Sequence, residues 1–213
     1  MATEFEGIDS GMFADALDIL GIDGAMTGMM PLATGMRFHG PALTVRMLRG
    51  TPGSFSADEI ALGEILERAQ RDDVIVFDVG GAPVTVWGEL TTIAAQGKGV
   101  AGLVVDGAIR DADIIRAARF PVMTRHIVPT AGKSRLRLGS VNEEPVLCGG
   151  VSVHPGDFIF ADETGVVSCP QRLIDDVLAE VRKIQARENE MKANLAKGLS
   201  YLEAARQLGL RQL

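Results

Sequence analysis

The sequence predicts an α/β fold in which strands and helices alternate, followed by a helical C-terminal tail. Three observations carry that reading. The β-branched runs Val74–Val79 and Leu103–Val105 are separated by helix-like stretches, at a spacing that suits βαβ units with right-handed crossovers. Residues 126–170 break into short strand-like pieces divided by turns. After Pro170, Leu173, Ile174, Val177, Leu178, Val181 and Ile184 keep a helical period on one face.

Taken in order, Ser10 opens a helix with Phe13, Ala14, Leu17 and Leu20 on one face and Gly21 beyond it. The Ser10 hydroxyl suits the cap, because it can accept from an orphan backbone N–H. Residues 41–48 read as a strand, and 56–70 as a helix with Ile60, Ile65 and Leu66 inward. Val74–Val79 runs into Gly80-Gly81. A second strand-like piece, Val84–Val86, leads to a helix from Gly88 to Gln96 that Gly97 stops. Leu103–Val105 is a buried strand. A helix from Arg110 to Arg119 follows, and Phe120–Met123 begins another strand. Gly149-Gly150, His154–Asp157 and Asp162–Gly165 are turns around the strand pieces Phe158–Phe160 and Val166-Val167. The tail helix turns polar and reaches Lys197, where Gly198 ends it, and Ser200–Leu208 supplies a last short helix.

At about 150 residues per domain, 213 residues make one domain. The division expected is a single α/β core over 1–170 and a helical extension over 171–213. Apolar residues make up 46% and charged residues 23%, which excludes disorder as the main state. The net charge is −7 and the only lysines are Lys98, Lys133, Lys183, Lys192 and Lys197. Neutralising phosphates needs clustered cations, so a nucleic-acid partner is not expected. Met1–Glu6 is acidic and lacks an apolar leader, and the longest apolar stretch, near Val100–Val105, is far too short to span a bilayer. Cys148 and Cys169 build no disulfide or zinc framework. A cytoplasmic, reducing location with no membrane contact is expected.

Ligands of open α/β sheets bind beyond the carboxyl ends of strands, at helix N-termini. One such place follows Val74–Val79, where Gly80-Gly81 leads on to Gly88-Glu89-Leu90-Thr91. The Leu90 and Thr91 N–H groups are helix-start donors suited to a carboxylate. The other follows Leu103–Val105, where Asp106–Asp111 sets Arg110 beside Asp111. From position alone that pair reads more readily as a surface ion pair at a helix start. Ala82-Pro83 after Gly80-Gly81 breaks the dinucleotide pattern, so a methyl-donor or nucleotide loop is disfavoured. His39, His126 and His154 have no metal-ligand spacing, with His154 read as structural. No lysine sits in the apolar pocket that imine chemistry needs, and no nucleophile elbow is present. A hard metal ion held by carboxylates near an arginine remains.

Glu89, twenty intervening residues and Arg110-Asp111 form an acid-X20-Arg-Asp motif. Around it lie Val104–Asp111, Phe120-Pro121-Val122, Val153–Asp157 and Ala161–Val167. In this combination, from Ser10 to about Gly198, the chain resembles the class II pyruvate aldolase family of 4-hydroxy-4-methyl-2-oxoglutarate aldolase, which shares its fold with the regulator of ribonuclease E activity. The resemblance implies a β/β/α swivelling-domain-like fold, assembled as a homotrimer or homohexamer with sites between subunits, and a divalent metal, Mg²⁺ or Mn²⁺. It implies Asp111 as the metal ligand, Glu89 holding water, and Arg110 on the pyruvyl oxygen. Gly88, Leu90 and Thr91 would bind the 2-oxo acid through the helix start. Glu188 or Glu190 of a neighbouring subunit would complete the site. The implied activity is cleavage of a 4-hydroxy-2-oxo acid, of the 4-hydroxy-4-methyl-2-oxoglutarate or 4-carboxy-4-hydroxy-2-oxoadipate type, to pyruvate, with oxaloacetate decarboxylation through the same enolate. The alternative is a non-catalytic, protein-binding regulator of an RNA-degrading enzyme. That branch loses the acid after the arginine, and this sequence keeps Asp111.

Overall fold

Strands buried on both faces of a parallel sheet need nearly continuous apolar sequence, and the middle of the chain supplies it. The computed structural model describes residues 5–209. Met1–Glu4, from the segment read for a leader, and Leu210–Leu213 of the C-terminal extension lie outside the described residues. The first half runs α1 (Ser10–Ile19), β1 (Ala25–Met26), β2 (Met30–Pro31), β3 (Phe38–Arg49), α2 (Leu62–Arg68), β4 (Val74–Asp78) and β5 (Thr85–Trp87). Then come α3 (Glu89–Lys98), β6 (Gly102–Ile109), α4 (Ala112–Ala117), β7 (Val122–Ile127) and β8 (Leu136–Val141). Strands β9 (Val146–Cys148), β10 (Val151–Val153), β11 (Phe158–Ala161) and β12 (Val166–Cys169) precede a 3-10 turn and the helices α5 (Ile174–Ala196) and α6 (Tyr201–Gln207).

One mixed sheet has the order β1-β12-β11-β3-β4-β6-β7-β2, with β5 also beside β6 and β8 beside β3. The joints β3–β4, β4–β6, β5–β6 and β6–β7 are parallel. β11 and β8 pair antiparallel with β3, and β9–β10 is a separate hairpin. The sheet's period of two sorts the strands into two cores. Val45, Phe77 and Val105 stand in register and pack under Ile65 of α2, Ala95 of α3 and Ile115 of α4. Val74, Val76 and Val104 face the other way and are covered by Val146, Cys148, Val151 and Val153 of the hairpin. A third cluster joins Phe13 and Leu17 of α1 to Val177 and Val181 of α5 over Phe160 and Val167. The mixed α/β fold with a long C-terminal helix is the one expected. Among the described residues no helix is long and apolar enough to cross a membrane.

Several boundaries differ from expectation for identifiable reasons. The cap of α1 is Asp9, whose carboxylate accepts the Met12 N–H at 2.9 Å. Ser10 is already helical and gives both its N–H and its hydroxyl to Asp162, each at 2.7 Å. The helix expected over 56–70 shortens to Leu62–Arg68, because Glu59 folds back to accept the Ser56 N–H at 2.7 Å and Ala61 takes the left-handed conformation at φ 47°. Helix α3 continues through Gly97 to Lys98, and Gly99 caps it by returning its N–H to the last carbonyls. Asp106–Ile109, read as a loop before a helix, is strand: Ala108 and Ile109 pair with β5 on one side and β7 on the other. That extension leaves α4 only Ala112–Ala117.

Candidate active site

The carboxyl ends of β5 and β6 meet, with the Arg110 N–H donating to the Trp87 carbonyl at 3.0 Å. Each strand feeds a helix, so the starts of α3 and α4 lie side by side. Between them opens a cleft of about 450 Å³, lined by Gly88, Glu89, Leu90, Thr91, Arg110 and Asp111, with Thr85–Trp87, Ile60, Leu62 and the 131–133 segment as further wall. The structure thus gathers around one cavity the residues that the motif separates by twenty positions.

Asp111 is the N-cap residue of α4 and sits in the left-handed region at φ 54°. Asp tolerates that conformation better than most residues, and such outliers concentrate at functional sites. Its Oδ2 accepts the Glu89 N–H at 3.0 Å and lies 3.6 Å from the Arg110 Nε. Its Oδ1 carries no hydrogen bond among the described residues. A Cβ on Gly88 would meet Asp111 Oδ2 at 2.5 Å and Arg110 Cγ at 3.3 Å, so a side chain there would push the pair out of the cleft.

The start of α3 is held from both sides. The Thr91 hydroxyl accepts the Gly88 N–H at 3.1 Å and donates to the Gly88 carbonyl at 2.9 Å. The Thr92 hydroxyl accepts from the buried Trp87 indole at 2.9 Å and donates to the same carbonyl. The first intrahelical bond runs from Thr92 N–H to Gly88, which leaves the Leu90 and Thr91 amides ahead of the ladder as donors for an anion. The Leu90 side chain is 81% exposed, so its contribution at this point is its backbone.

Glu188 and Glu190 do not line this cleft. Both lie on α5, and Glu188 pairs with Lys192 at 2.9 Å beside a groove against α1. The three histidines are elsewhere too: the His39 ring packs tilted against Phe5, His126 Nε2 lies 3.2 Å from the Gly81 carbonyl, and the His154 backbone N–H donates to Asp157. The Gly80-Gly81 turn is structural, since Asp78 accepts the Gly80 N–H at 2.9 Å and the Leu147 N–H at 3.3 Å. Burial pushes both thiols up, Cys148 strongly and Cys169 to about 11 with help from Asp157, so neither is a ready nucleophile.

Two features went unread in the sequence. The buried Asp106 pairs with the half-buried Arg125 at 2.6 Å, and Asp106 also accepts the Gly149 N–H at 2.9 Å. Lys133 lines the same cleft. Its signal was its position in a short loop beyond the carboxyl end of β7.

The donor set suits a hard divalent cation. Among the described residues no group of three or more His, Cys, Asp or Glu side chains could hold a metal. Mg²⁺ does not require one, since it keeps several waters and takes one or two carboxylates plus substrate oxygens. Asp111, 34% exposed at the cleft with one carboxylate oxygen uncommitted, and the neighbouring Glu89 fit that pattern.

The fold and the cleft define an RraA-like protein: the family model described as Aldolase/RraA matches residues 12–168, and the chain belongs to that family. It is 36% identical over 205 residues to protein DlpA of Legionella pneumophila, covering 93% of this chain but spanning only 32% of that protein's length. It is 34% identical over 206 residues to a Halalkalibacterium halodurans protein named "Putative 4-hydroxy-4-methyl-2-oxoglutarate aldolase", covering 94% of this chain and 93% of that one. Among solved structures, an uncharacterized protein from Pseudomonas syringae superposes with a TM-score of 0.86 at 29% identity, covering 96% and 92% of the two chains. Streptomyces coelicolor RraAS2, described as an unusual member of the RNase ES inhibitor RraA protein family, gives 0.77 at 28%, covering 87% and 92%.

Proposed function

We propose that the cleft cleaves a 4-hydroxy-2-oxo acid to pyruvate and a second carbonyl compound, as a divalent-metal-dependent aldolase, and that it also decarboxylates oxaloacetate. The observation that carries this reading is Arg110 beside Asp111 at the mouth of α4, facing the two uncommitted amides of α3 across one cleft. The Leu90 and Thr91 N–H groups hold the substrate's C1 carboxylate. Arg110, always protonated, sets its planar donors at the C2 oxygen, where negative charge develops. A water oriented by Glu89 takes the proton from the C4 hydroxyl. C4 becomes a carbonyl, the C3–C4 bond breaks, and its electron pair passes to the pyruvate enolate, which a proton at C3 converts to pyruvate. Asp111, with Glu89 acting through water, would hold a divalent cation, Mg²⁺ or Mn²⁺, which would supply Lewis-acid stabilisation of the enolate. Oxaloacetate loses CO₂ to leave the same enolate.

The assembly belongs to the same reading: a homotrimer or homohexamer in which Glu188 or Glu190 of a neighbouring copy reaches the cleft. The exposed Tyr201 and Leu202 of α6 give the tail an apolar surface for such contact. The alternative, a protein-binding regulator without chemistry, is disfavoured because Asp111 is retained.

The test is pyruvate release from 4-hydroxy-4-methyl-2-oxoglutarate and from oxaloacetate, with Mg²⁺ and with chelator. Turnover is expected only with metal, and Asp111→Asn is expected to reduce it by more than about 10³-fold with circular dichroism unchanged. Truncation after Ile184 is expected to abolish it as well. Full activity of Asp111→Asn at saturating Mg²⁺ would sink the assignment.

A further inference from the structure

The chain is acidic overall, with a net charge of −7, and Arg46, Arg68, Arg110 and Arg125 each pair with a carboxylate. Arg37, Arg116 and Arg119 pair with none among the described residues, yet all three line one cavity of about 420 Å³, at the end of α4 remote from Asp111. Thr34, Met36 and Pro121 share its wall, and among the described residues no Asp or Glu does. Glu163 accepts the Gly35 N–H of the same loop without lining the cavity. Two of the guanidinium groups are braced. Arg116 gives its Nε to the Leu32 carbonyl at 2.9 Å, which leaves both terminal nitrogens uncommitted. Arg37 gives one terminal nitrogen to the Phe5 and Ile8 carbonyls and sets its Cζ 4.8 Å over the Phe160 ring, which leaves its other terminal nitrogen and its Nε. Arg119 is left-handed at φ 52° directly behind α4, where its N–H donates to the Arg116 carbonyl at 3.0 Å. Glycine is the usual residue at such a helix end, because an L side chain is strained there. This chain carries an arginine instead, and adds its charge to the other two.

We propose that this cavity is a binding site for a diphosphate group, separate from the cleft at the α3 and α4 starts. A planar guanidinium meets phosphoryl oxygens with two donors at a time. Three of them, with the Thr34 hydroxyl on the wall, offer more donors than one phosphoryl group engages. The cavity also falls in the range of about 300–1,000 Å³ common to small-molecule sites. Two linked phosphoryl groups match both the charge and the room. The carbonyl end of a helix carries partial negative charge and by itself repels an anion. Here those carbonyls are occupied: Ile114 accepts the Ala118 N–H, Ile115 the Phe120 N–H and Arg116 the Arg119 N–H, while Ala118 accepts the Gln96 side chain at 2.9 Å. Compensation of the helix dipole accounts for one basic residue in the last turn of α4. It does not account for three arginines around one cavity that no carboxylate lines. Diphosphate reaches such a site either as the free ion or carried on a nucleoside, and the linked phosphoryl pair is the chemistry common to both.

Calorimetric titration of the full chain in metal-free buffer tests this with three probes: inorganic diphosphate, orthophosphate and adenosine diphosphate. Inorganic diphosphate is expected to bind at least about tenfold more tightly than orthophosphate, because it reaches a further charged donor. Arg119→Gly removes one cation at a position whose backbone favours glycine, so the fold is retained. In that variant the diphosphate affinity is expected to fall about ten- to a hundredfold, the range for a hydrogen bond to a charged group. Arg110→Gln, in the cleft, is expected to leave it unchanged. Thermal unfolding gives a second reading: diphosphate is expected to raise the Tm of the parent and to raise that of Arg119→Gly far less. Adenosine diphosphate binding as tightly as inorganic diphosphate supports a nucleoside-borne group, and its rejection supports the free ion. Absence of binding by both diphosphates, orthophosphate binding as tightly as diphosphate, affinity unchanged in Arg119→Gly, or affinity lost in Arg110→Gln overturns the proposal. None of these outcomes depends on whether the cleft cleaves a substrate.

Discussion

Strand β6 carries one aspartate–arginine pair and delivers another, and the two behave differently. Asp106 lies inside the strand and meets Arg125 of β7 at 2.6 Å; its side chain is 8% exposed, and both of its oxygens are used. Asp111 lies just past the strand and stands 3.6 Å from Arg110; the side chains are 34% and 47% exposed, and one carboxylate oxygen is uncommitted. The first pair fastens the β9–β10 hairpin onto the sheet through Gly149 and has no capacity left for a ligand. The second is poorly satisfied by its own chain, held in a left-handed turn, and open to the cleft. Completeness of hydrogen bonding, and not residue type, distinguishes the pair that is spent on structure from the pair that is free to meet a ligand.

The sharpest way to break this contrast is Arg110→Lys. A surface ion pair would tolerate it almost silently. A preorganised planar donor would not, and kcat is expected to fall by about 10²–10³, for aldol cleavage and oxaloacetate decarboxylation alike. Steady-state kinetics on both substrates at fixed Mg²⁺ measures this, and decarboxylation that survives while cleavage is lost would contradict a shared enolate. The complementary change is Asp106→Asn, which keeps the shape but strands the Arg125 charge. Because Arg125 keeps partial solvent contact and its bond to Thr27, this is expected to cost about 2 kcal/mol of stability, read as a lower urea midpoint, with activity per folded molecule retained. Activity lost without loss of stability would move Asp106 into the chemistry.

The smallest effect concerns a third aspartate. Burial pushes the Asp162 carboxyl up, but the Ser10 hydroxyl and N–H, with the Thr164 and Gly165 backbone, outweigh it and hold the group below its ordinary value. A carboxyl depressed in the folded state stabilises the fold above its unfolded pKa of about 3.9, and that contribution disappears as pH falls through the lower folded value. Ser10→Ala is therefore expected to cost about 1 kcal/mol at pH 7. Its deficit relative to the parent should shrink below about pH 4, as urea midpoints at pH 7 and pH 3 would reveal.

What the sequence made legible follows the same division. The central strands were readable because burial on both faces leaves an unbroken apolar run, as in Val74–Phe77. β1 and β2 were not, being two residues each and defined only by their partners β12 and β7. The extent of α2 was hidden because the Ser56–Glu59 fold-back and the left-handed Ala61 leave no mark on the apolar period. At the cleft, the motif located Gly88–Thr91, Arg110 and Asp111, because helix starts after strands announce their donors. It could not find Asp106–Arg125, which requires the β6–β7 register, nor Lys133, which the pairing of its loop with Thr85 brings to the cleft wall. Glu188 and Glu190 rest on the resemblance, which implies an acid from a neighbouring copy, and within one chain they stay on α5, away from the cleft.

The hydrogen bond from the Trp87 indole to Thr92 has a practical side. Trp87 is the only tryptophan of the chain, and Tyr201, on α6, is its only tyrosine. The indole is 1% exposed and forms part of the wall from which α3 begins. Its emission therefore reports on the solvation of the cleft, while the phenol reports on the tail. The protein carries two native chromophores, one in each region, and light alone can follow whether the cleft and the C-terminal end loosen together or one after the other.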